Sequence, residues 1–351
     1  MALTVTRLLV PAGSAALRSG NFIQKAGVHR SPVRSLQYGA LAYMLGEWTS
    51  PRLHKLSKII TVDGNLASGK GALAQKLAES LGMLYMPQVD TFYMDKMNGE
   101  KEPLPVDYNG MCSLEKFYLE PKAADGNSYR LQLWMYMMRL LQYADAIEHL
   151  LSTGQGVVLH RSAFSDMVFL DAMFKQGYIR KECVEHYNET KHNSLTEFLP
   201  PHLVIYIDLP AEDVHMKLKQ SGKNIPLQYL KSIEESYKKS FLPSIEETTE
   251  VLVYDVVQAQ NINMVMDDIE IMEFEKGPWL EQEDINYHEL RMIARNKSKL
   301  ASLTQIPRFL PEITIGAHEY YEKYHAYKSL PGKNFAPGYN EDVGDKHIWL
   351  K

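Results

Sequence analysis

The chain has 351 residues, of which 45% are hydrophobic and 23% are charged. This is enough apolar material to bury the core of one large domain with an extension. The formal net charge of −5 gives no sign of general affinity for nucleic acid. The two cysteines, Cys112 and Cys183, exclude a disulfide framework and an iron–sulfur cluster, and they favour a reducing compartment.

The first 34 residues differ in composition from the rest of the chain, because all their fully charged side chains are basic. The first carboxylate of the chain is Glu47. The basic residues are Arg7, Arg18, Lys25, Arg30 and Arg34. This composition is typical of a mitochondrial transit peptide, and we expect cleavage near residue 34. The other interpretation is a disordered basic tail. No apolar run in the chain is long enough to span a bilayer.

Residues 58–74, KIITVDGNLASGKGALA, contain the most specific single motif of the chain. An apolar, β-branched run at 59–62 predicts a strand, and leucines spaced four apart from Leu73 predict a helix. Between them, residues 64–70 read G-x-x-x-x-G-K. This pattern is typical of a phosphate-binding loop, in which backbone N–H groups surround the phosphates and the lysine adds positive charge. The next residue is normally Ser or Thr, whose hydroxyl binds Mg²⁺, but here it is Gly71.

Strand and helix patterns alternate along the chain. Further strands are predicted at 83–86, 156–160, 203–208 and 251–257, and helices at 129–151, 164–174, 211–220, 226–241, 265–274 and 283–299. The strands are almost wholly apolar, which indicates an α/β fold with a parallel sheet covered by helices on both faces. Ligands of such sheets bind beyond the carboxyl ends of the strands. Residues 307–351 are rich in Pro, Gly, Tyr and His, and they predict an irregular, aromatic-rich extension.

Two further motifs are expected at that edge of the sheet. Residues 129–140, YRLQLWMYMMRL, place Gln132 and Arg139 on one helix, and residues 160–166 read HRSAFSD. Together with the loop and with IPLQYL at 225–230, these motifs resemble the deoxyribonucleoside kinase family in the right order. The resemblance covers roughly residues 58–274. It implies a phosphate-loop kinase fold with a five-stranded parallel sheet.

The resemblance also implies a role for each matching residue. The residues expected to bind phosphate are Gly64, Asn65, Ala67, Ser68, Gly69, Lys70, Gly71 and Arg161. Those expected to bind the nucleobase or sugar are Gln132, Arg139, Asp166 and Tyr229, and the lid is expected to include Lys217 and Lys223. An amide offers both donor and acceptor to a base edge, and a guanidinium binds oxyanions in pairs. The expected ligand is a purine (deoxy)nucleotide. A flavin adenine nucleotide also suits a nucleotide pocket, but nothing in the sequence specifies one.

The sequence departs from the family at the catalytic positions. Gly71 lacks the hydroxyl, and His160 replaces the glutamate of the family's E-R-S motif, so neither offers the hard oxygen that Mg²⁺ prefers. Gln88 is the nearest match to the family's general base, and an amide is a poor proton acceptor. Lysines replace the lid arginines and cannot form the same paired hydrogen bonds. We therefore expect a kinase fold that keeps a nucleotide pocket, binds no metal and has lost phosphoryl transfer.

A closer resemblance extends over nearly the whole chain, to the kinase-like accessory subunits of mitochondrial respiratory complex I. The segments that carry it are DYNGMCSLEKFY at 107–118, GNSYRLQ at 126–132, KGPWL at 276–280, PEITIGAH at 311–318 and PGYNEDVGDKHIWLK at 337–351. This resemblance implies a non-catalytic role in assembly or stability, on the matrix side of the inner membrane. It implies the other subunits of complex I as partners, and no nucleic acid. The alternative is an active mitochondrial deoxyribonucleoside kinase.

These expectations divide the chain into four parts. They are a transit peptide at 1–34, an N-terminal segment at 35–57, a kinase-like domain at 58–258 and a helical and irregular extension at 259–351. The N-terminal segment is apolar and aromatic, and we expect it to pack on the domain or on a partner.

Overall fold

The computed structural model describes residues 38–91, 93, 111–314 and 330–331. The predicted transit peptide and most of the predicted aromatic extension lie outside these residues. The strands are β1 (Ile59–Gly64), β2 (Leu84–Met86), β3 (Val157–His160), β4 (Leu203–Asp208) and β5 (Glu250–Asp255). They form one parallel sheet in the order β2-β3-β1-β4-β5. The predicted fold class is therefore confirmed.

The central strand β1 is buried along its whole length. It pairs with β3 on one side, where Val62 lies opposite His160, and with β4 on the other, where Gly64 lies opposite Ile207. Because neighbouring strands run in the same direction, their carboxyl ends meet at one edge of the sheet. This register brings the glycine-rich loop, His160 and the end of β4 together, as the sequence predicts.

Helices cover both faces of the sheet. They are α1 (Ala40–Met44), α2 (Lys70–Leu81), α3 (Leu114–Leu119), α4 (Asn127–Thr153), α5 (Met167–Lys175), α6 (Lys181–Leu195), α7 (Ala211–Gln220), α8 (Leu227–Ser236), α9 (Leu242–Ile245), α10 (Ile262–Ile271), α11 (Asp284–Arg295), α12 (Lys297–Leu303) and α13 (Pro311–Thr314). Successive strand residues point to opposite faces. Ile59 therefore joins the core with α4, α5, α6 and α8, whereas Ile60 joins the core with α2 and α10. No helix within the described ranges is long and apolar enough to cross a membrane.

Helix α4 carries Gln132 and Arg139 and has 27 residues. Gly126 precedes it and Gly154 follows it, and both have a φ of +75°. A Cβ atom on Gly154 would lie 2.2 Å from the carbonyl oxygen of Arg52, so backbone conformation and space both require glycine there. The helix is thus held at fixed ends, and its two polar residues, seven positions apart, lie on one face.

Two predicted helices differ from the observed ones for local reasons. The predicted helix at 283–299 is divided at Asn296, whose side chain accepts a hydrogen bond from the backbone N–H of Lys299 and begins α12. The predicted helix at 226–241 continues through a π-helical turn, Tyr237–Phe241, into α9. Pro243 follows that turn and has no N–H to donate to the preceding turn of helix.

The segment before β1 packs on α11. The backbone N–H groups of Thr49 and Ser50 donate to Oδ1 of Asp284 at 2.7 and 2.9 Å. The guanidinium of Arg291 lies 3.3 Å from the ring centre of Tyr38, which is 4% exposed. The segment therefore packs on α11, in the predicted extension, and Ser57 also donates from its hydroxyl to the carbonyl oxygen of Gly154, so it packs on the kinase-like domain as expected.

The helices after residue 258 share the core of the sheet. Trp279 is 8% exposed, its ring centre lies 4.2 Å from that of His202, and its Nε1 donates to the carbonyl oxygen of Pro200 at 2.6 Å. His202 in turn accepts a hydrogen bond from the backbone N–H of Ile59 at 3.0 Å, at the start of the central strand. The division of the chain at residue 258 stays a prediction, but the packing is continuous across it.

We predict that Trp279→Ala lowers the free energy of unfolding by about 3–5 kcal/mol, because it removes a large buried ring next to the sheet. Leu280→Ala is the matched control. Leu280 is 63% exposed, so its truncation should cost less than about 0.5 kcal/mol. Urea unfolding followed by circular dichroism measures both. Equal, small effects would mean that the extension does not share the stability of the core.

Candidate functional site

The loop after β1 has the close turn that a phosphate-binding loop requires. A Cβ atom on Gly64 would lie 2.8 Å from the carbonyl oxygen of Ile207 and 2.9 Å from Oγ of Ser68, so only glycine fits. Gly69 has a φ of +86° and directly precedes α2. Ala67, at the exposed tip, is also left-handed, with a φ of +52°. The loop therefore leads into a helix N-terminus, where anions are favoured.

Lys70 is hydrogen-bonded to its own loop. It is 4% exposed, and its Nζ donates to the carbonyl oxygen of Asn65 at 2.7 Å. The side chain of Asn65 donates to the carbonyl oxygen of Leu230 at 3.1 Å, which joins the loop to α8. Burial, with the charge of Arg161 nearby, lowers the pKa of Lys70 well below its usual value. An anion next to Nζ would favour the charged lysine.

Arg161 supports the loop from β3. It is 2% exposed, and its Nη2 donates to the carbonyl oxygen of Gly64 at 2.9 Å. The guanidinium carbons of Arg161 and Arg139 lie 4.7 and 5.2 Å from the ring centre of Phe169, within range of cation–π attraction. Burial and the neighbouring Arg161 lower the pKa of Arg139 to about 10, so Arg139 remains a cation at neutral pH.

Three of the residues predicted to bind the base contact one another. Asp166 is fully buried and accepts hydrogen bonds from Nε2 of Gln132 at 2.6 Å and from Oη of Tyr187 at 2.5 Å. It also forms an ion pair with Arg139. Tyr187 is absent from the predicted set, because α6 shows only a helical pattern in the sequence. The structure thus places a connected polar network beside the two arginines.

The remaining predicted residues have different environments. Tyr229 is 3% exposed, and its ring centre lies 5.7 Å from those of Phe117 and Tyr178, in an aromatic cluster. Lys217, on α7, and Lys223, in the turn after it, are both exposed. The structure therefore brings together the loop, the arginines and the Asp166 network, and leaves the lid lysines on the surface.

A buried carboxylate below the loop is also missing from the predicted set. Asp63, directly before Gly64, is fully buried, and its Oδ1 accepts a hydrogen bond from Oη of Tyr237 at 3.3 Å. Burial raises the pKa of Asp63, against the opposing effects of Ser165 and Arg161, and burial raises that of Tyr237 to about 12. The sequence does give a signal for Asp63, because it is the one carboxylate in a strand that is otherwise mostly apolar.

The fold family implies Mg²⁺ between positions 71 and 160, and the residues present do not fit it. A Cβ atom on Gly71 would lie 3.2 Å from both Cε1 and Nδ1 of His160, so the imidazole fills the space of a hydroxyl side chain. Burial and the charge of Lys70 lower the pKa of His160 to about 3, so the ring is neutral. Gln88 is exposed. Among the described residues, no group of three His, Cys, Asp or Glu side chains could hold a metal ion.

The fold and site define a phosphate-loop protein of the nucleoside kinase type. Residues 60–276 match the family model for deoxynucleoside kinase. The chain is 26% identical over 273 residues to the deoxyguanosine kinase of Dictyostelium discoideum, covering 75% of this chain and 88% of that protein. A solved structure of M. mycoides deoxyadenosine kinase with bound dATP covers 61% of this chain and 99% of its own, with 16% identity and a TM-score of 0.46.

A second relative matches the chain from end to end. This chain is 51% identical over 356 residues to the mouse protein named NADH dehydrogenase (ubiquinone) 1 alpha subcomplex subunit 10, mitochondrial, covering 100% of both chains. The chain therefore belongs to the deoxynucleoside kinase family, in the branch of that mitochondrial alpha subcomplex subunit. Both resemblances predicted from the sequence are confirmed.

We predict that the effect of Gly71→Ala depends on His160. An alanine near the start of α2 gains up to about 1 kcal/mol in helix propensity, but the imidazole crowds the new methyl group. The substitution should therefore be neutral or destabilising in the native chain and stabilising in a His160→Ala background. A double-mutant cycle on urea unfolding measures the coupling. In a background with the exposed His192→Ala, Gly71→Ala should have the same effect as in the native chain. If Gly71→Ala also has that same effect in the His160→Ala background, the proposed crowding by the imidazole is wrong.

We predict that His160 contributes to acid sensitivity. Its pKa falls from 6.5 when unfolded to about 3 when folded, so the unfolded state takes up a proton that the folded state does not. Stability present above about pH 6.5 is therefore lost as the pH falls toward 3, by up to about 1.4 kcal/mol per pH unit. His160→Gln should reduce the slope of unfolding free energy against pH between about pH 6 and 5. The exposed His192→Gln is the matched control for the loss of one imidazole, and an unchanged slope in His160→Gln would contradict a ring that is neutral in the folded state.

Proposed function

We propose that this chain is an accessory subunit of mitochondrial NADH:ubiquinone oxidoreductase that supports its assembly or stability and is itself non-catalytic. The full-length identity of 51% to a mouse protein named as an alpha subcomplex subunit of that enzyme supports this. Its partners are then the other subunits of the complex, on the matrix side of the inner membrane. Its kinase-like pocket retains a purine (deoxy)nucleotide without converting it.

The contact between Gly71 and His160 carries the proposal of inactivity. Phosphoryl transfer depends on positioning and on neutralising the charge of the transferred group, and Mg²⁺ bridging the phosphates supplies much of that neutralisation. Here a neutral ring stands where the hydroxyl side chain of position 71 would lie, 3.2 Å from the place of its Cβ. The exposed Gln88 and lid lysines offer no substitute for a carboxylate base or for paired guanidinium contacts.

The buried charges favour retention of an anionic ligand. Lys70, Arg139 and Arg161 are each at most 6% exposed, and the buried carboxylates beside them are Asp63 and Asp166. With Lys70 charged, the cations exceed the carboxylates by one, and a neighbouring anion favours that charged form against the burial that lowers the pKa of Lys70. An uncompensated buried charge is costly, and a bound phosphate group would compensate it.

The first experiment is the native size of the endogenous protein in gently solubilised mitochondria, read with NADH:quinone reductase activity. We expect the protein to migrate with that activity in a very large particle, and its depletion to lower the amount of the particle. A soluble matrix enzyme on the same gel controls for trapping. Migration alone, as a monomer or dimer, would overturn the subunit proposal.

The proposal of inactivity has its own test. The purified chain should show no magnesium-dependent phosphorylation of any of the four deoxynucleosides under conditions in which an active deoxyguanosine kinase turns over. Robust phosphorylation would instead favour the mitochondrial deoxyribonucleoside kinase. A chain that migrates with the complex and phosphorylates nucleosides would keep the subunit proposal and remove the claim that it is non-catalytic.

A further inference from the structure

Several buried hydrogen-bond donors around the loop have no partner among the described residues. They are Oγ of Ser68, Nε of Arg161 and, in the tautomer that carries its proton there, Nε2 of His160. These side chains are close to one another. Arg161 donates from Nη2 to the carbonyl oxygen of Gly64 at 2.9 Å, Oγ of Ser68 lies 2.9 Å from the Cβ position of Gly64, and His160 adjoins Arg161 in the chain.

Burying these donors lowers the stability of the protein unless a ligand supplies acceptors for them. A buried donor without an acceptor forfeits its hydrogen bonds to water, and native proteins contain few of them. A phosphate group offers several strong acceptor oxygens, and hydrogen bonds to an ionised acceptor are among the strongest. The set contains two uncharged donors, a hydroxyl and an imidazole, beside the cations Lys70 and Arg161.

The same surroundings exclude a divalent cation on three grounds. The imidazole of His160 takes the space over Gly71. Asp166 is engaged by Arg139, Gln132 and Tyr187. Asp63 accepts a hydrogen bond from Tyr237 through Oδ1, and its Oδ2, which has no partner among the described residues, is a single carboxylate oxygen where a divalent cation needs several oxygen ligands. Finally, the positive charges of Lys70, Arg139 and Arg161 repel a metal ion while they attract an anion.

We propose that this site binds the phosphate of a nucleoside mono- or diphosphate as the free anion, without a divalent cation, and that His160 supplies from Nε2 a hydrogen bond in place of the metal. The inference rests on the proposed nucleotide pocket and names its ligand class. A magnesium–nucleotide complex binds no better here than the nucleotide alone, because neither Gly71 nor His160 offers the metal the oxygen ligand that the family has at its position. Substitution at position 160 has changed the form in which the loop accepts phosphate.

The test is calorimetric titration of the full chain with the four deoxynucleoside diphosphates, in buffer with a chelator and in buffer with millimolar Mg²⁺. We expect at least one to bind, with affinities in the two buffers that agree within about threefold. An affinity more than about tenfold higher with Mg²⁺, about 1.4 kcal/mol, would overturn the inference. Binding of none in either buffer would overturn it together with the pocket. Neither result bears on migration with the respiratory complex, so the two proposals fail separately.

Variants at position 160 test the role of its nitrogen. His160→Phe keeps a planar ring over Gly71 but removes the donor, and we expect affinity in chelator to fall about tenfold. The exposed His192→Phe is the matched control and should bind like the native chain. The double substitution Gly71→Ser with His160→Glu removes the ring and adds a hydroxyl and a carboxylate, both hard oxygen ligands, so binding should become magnesium-dependent. Full affinity in His160→Phe would overturn the role of Nε2, and the comparison of buffers in the native chain stands without any variant.

Discussion

Two buried cations bind the backbone of one glycine-rich loop, and the path of that loop and the register of the central strand depend on them. Lys70 binds the carbonyl oxygen of Asn65, and Arg161 binds that of Gly64. Cations removed from water need close partners, and here the loop itself provides them. The path of the loop is thus determined by charge as well as by the close contact of Gly64 with Ile207, and the central strand must keep its register for both.

The proposed binding groups and the family's catalytic positions have different environments in this chain. The proposed binding groups, such as Arg139 and Asp166, are buried and connected to each other, and the loss of either would leave an unpaired charge in the core. The catalytic positions depart from the family at Gly71, at His160 and at the exposed Gln88. Breaking a buried ion pair lowers the stability of the protein itself. Replacing an exposed catalytic base has little effect on stability. A pocket can therefore persist in such a fold without the reaction.

The sequence predicts most of the architecture because apolar strands, helical spacing and glycine positions are local signals. It also predicts that Gln132, Arg139 and Asp166 belong to one site, through the order of the motifs. It misses Tyr187 and Tyr237, because contacts between distant segments depend on packing that no local pattern records. It predicts that Gly71 and His160 each lack a metal ligand, and only the structure shows that the imidazole of His160 lies where a side chain at position 71 would be. The division of a helix at Asn296 is missed because a side-chain cap there outweighs the helical spacing.

The attachment of the first described segment to one of the last helices bears on the order of folding. Asp284 accepts hydrogen bonds from the backbone of Thr49 and Ser50, groups more than 230 positions earlier in the chain. The sheet needs only residues up to Asp255, but this contact cannot form until α11 has been synthesised. Closing so long a loop is slow compared with local helix formation. Thr49 and Ser50 therefore reach their final contacts only after the strands of the sheet are complete, and the start of the described chain is fastened by one of its last helices.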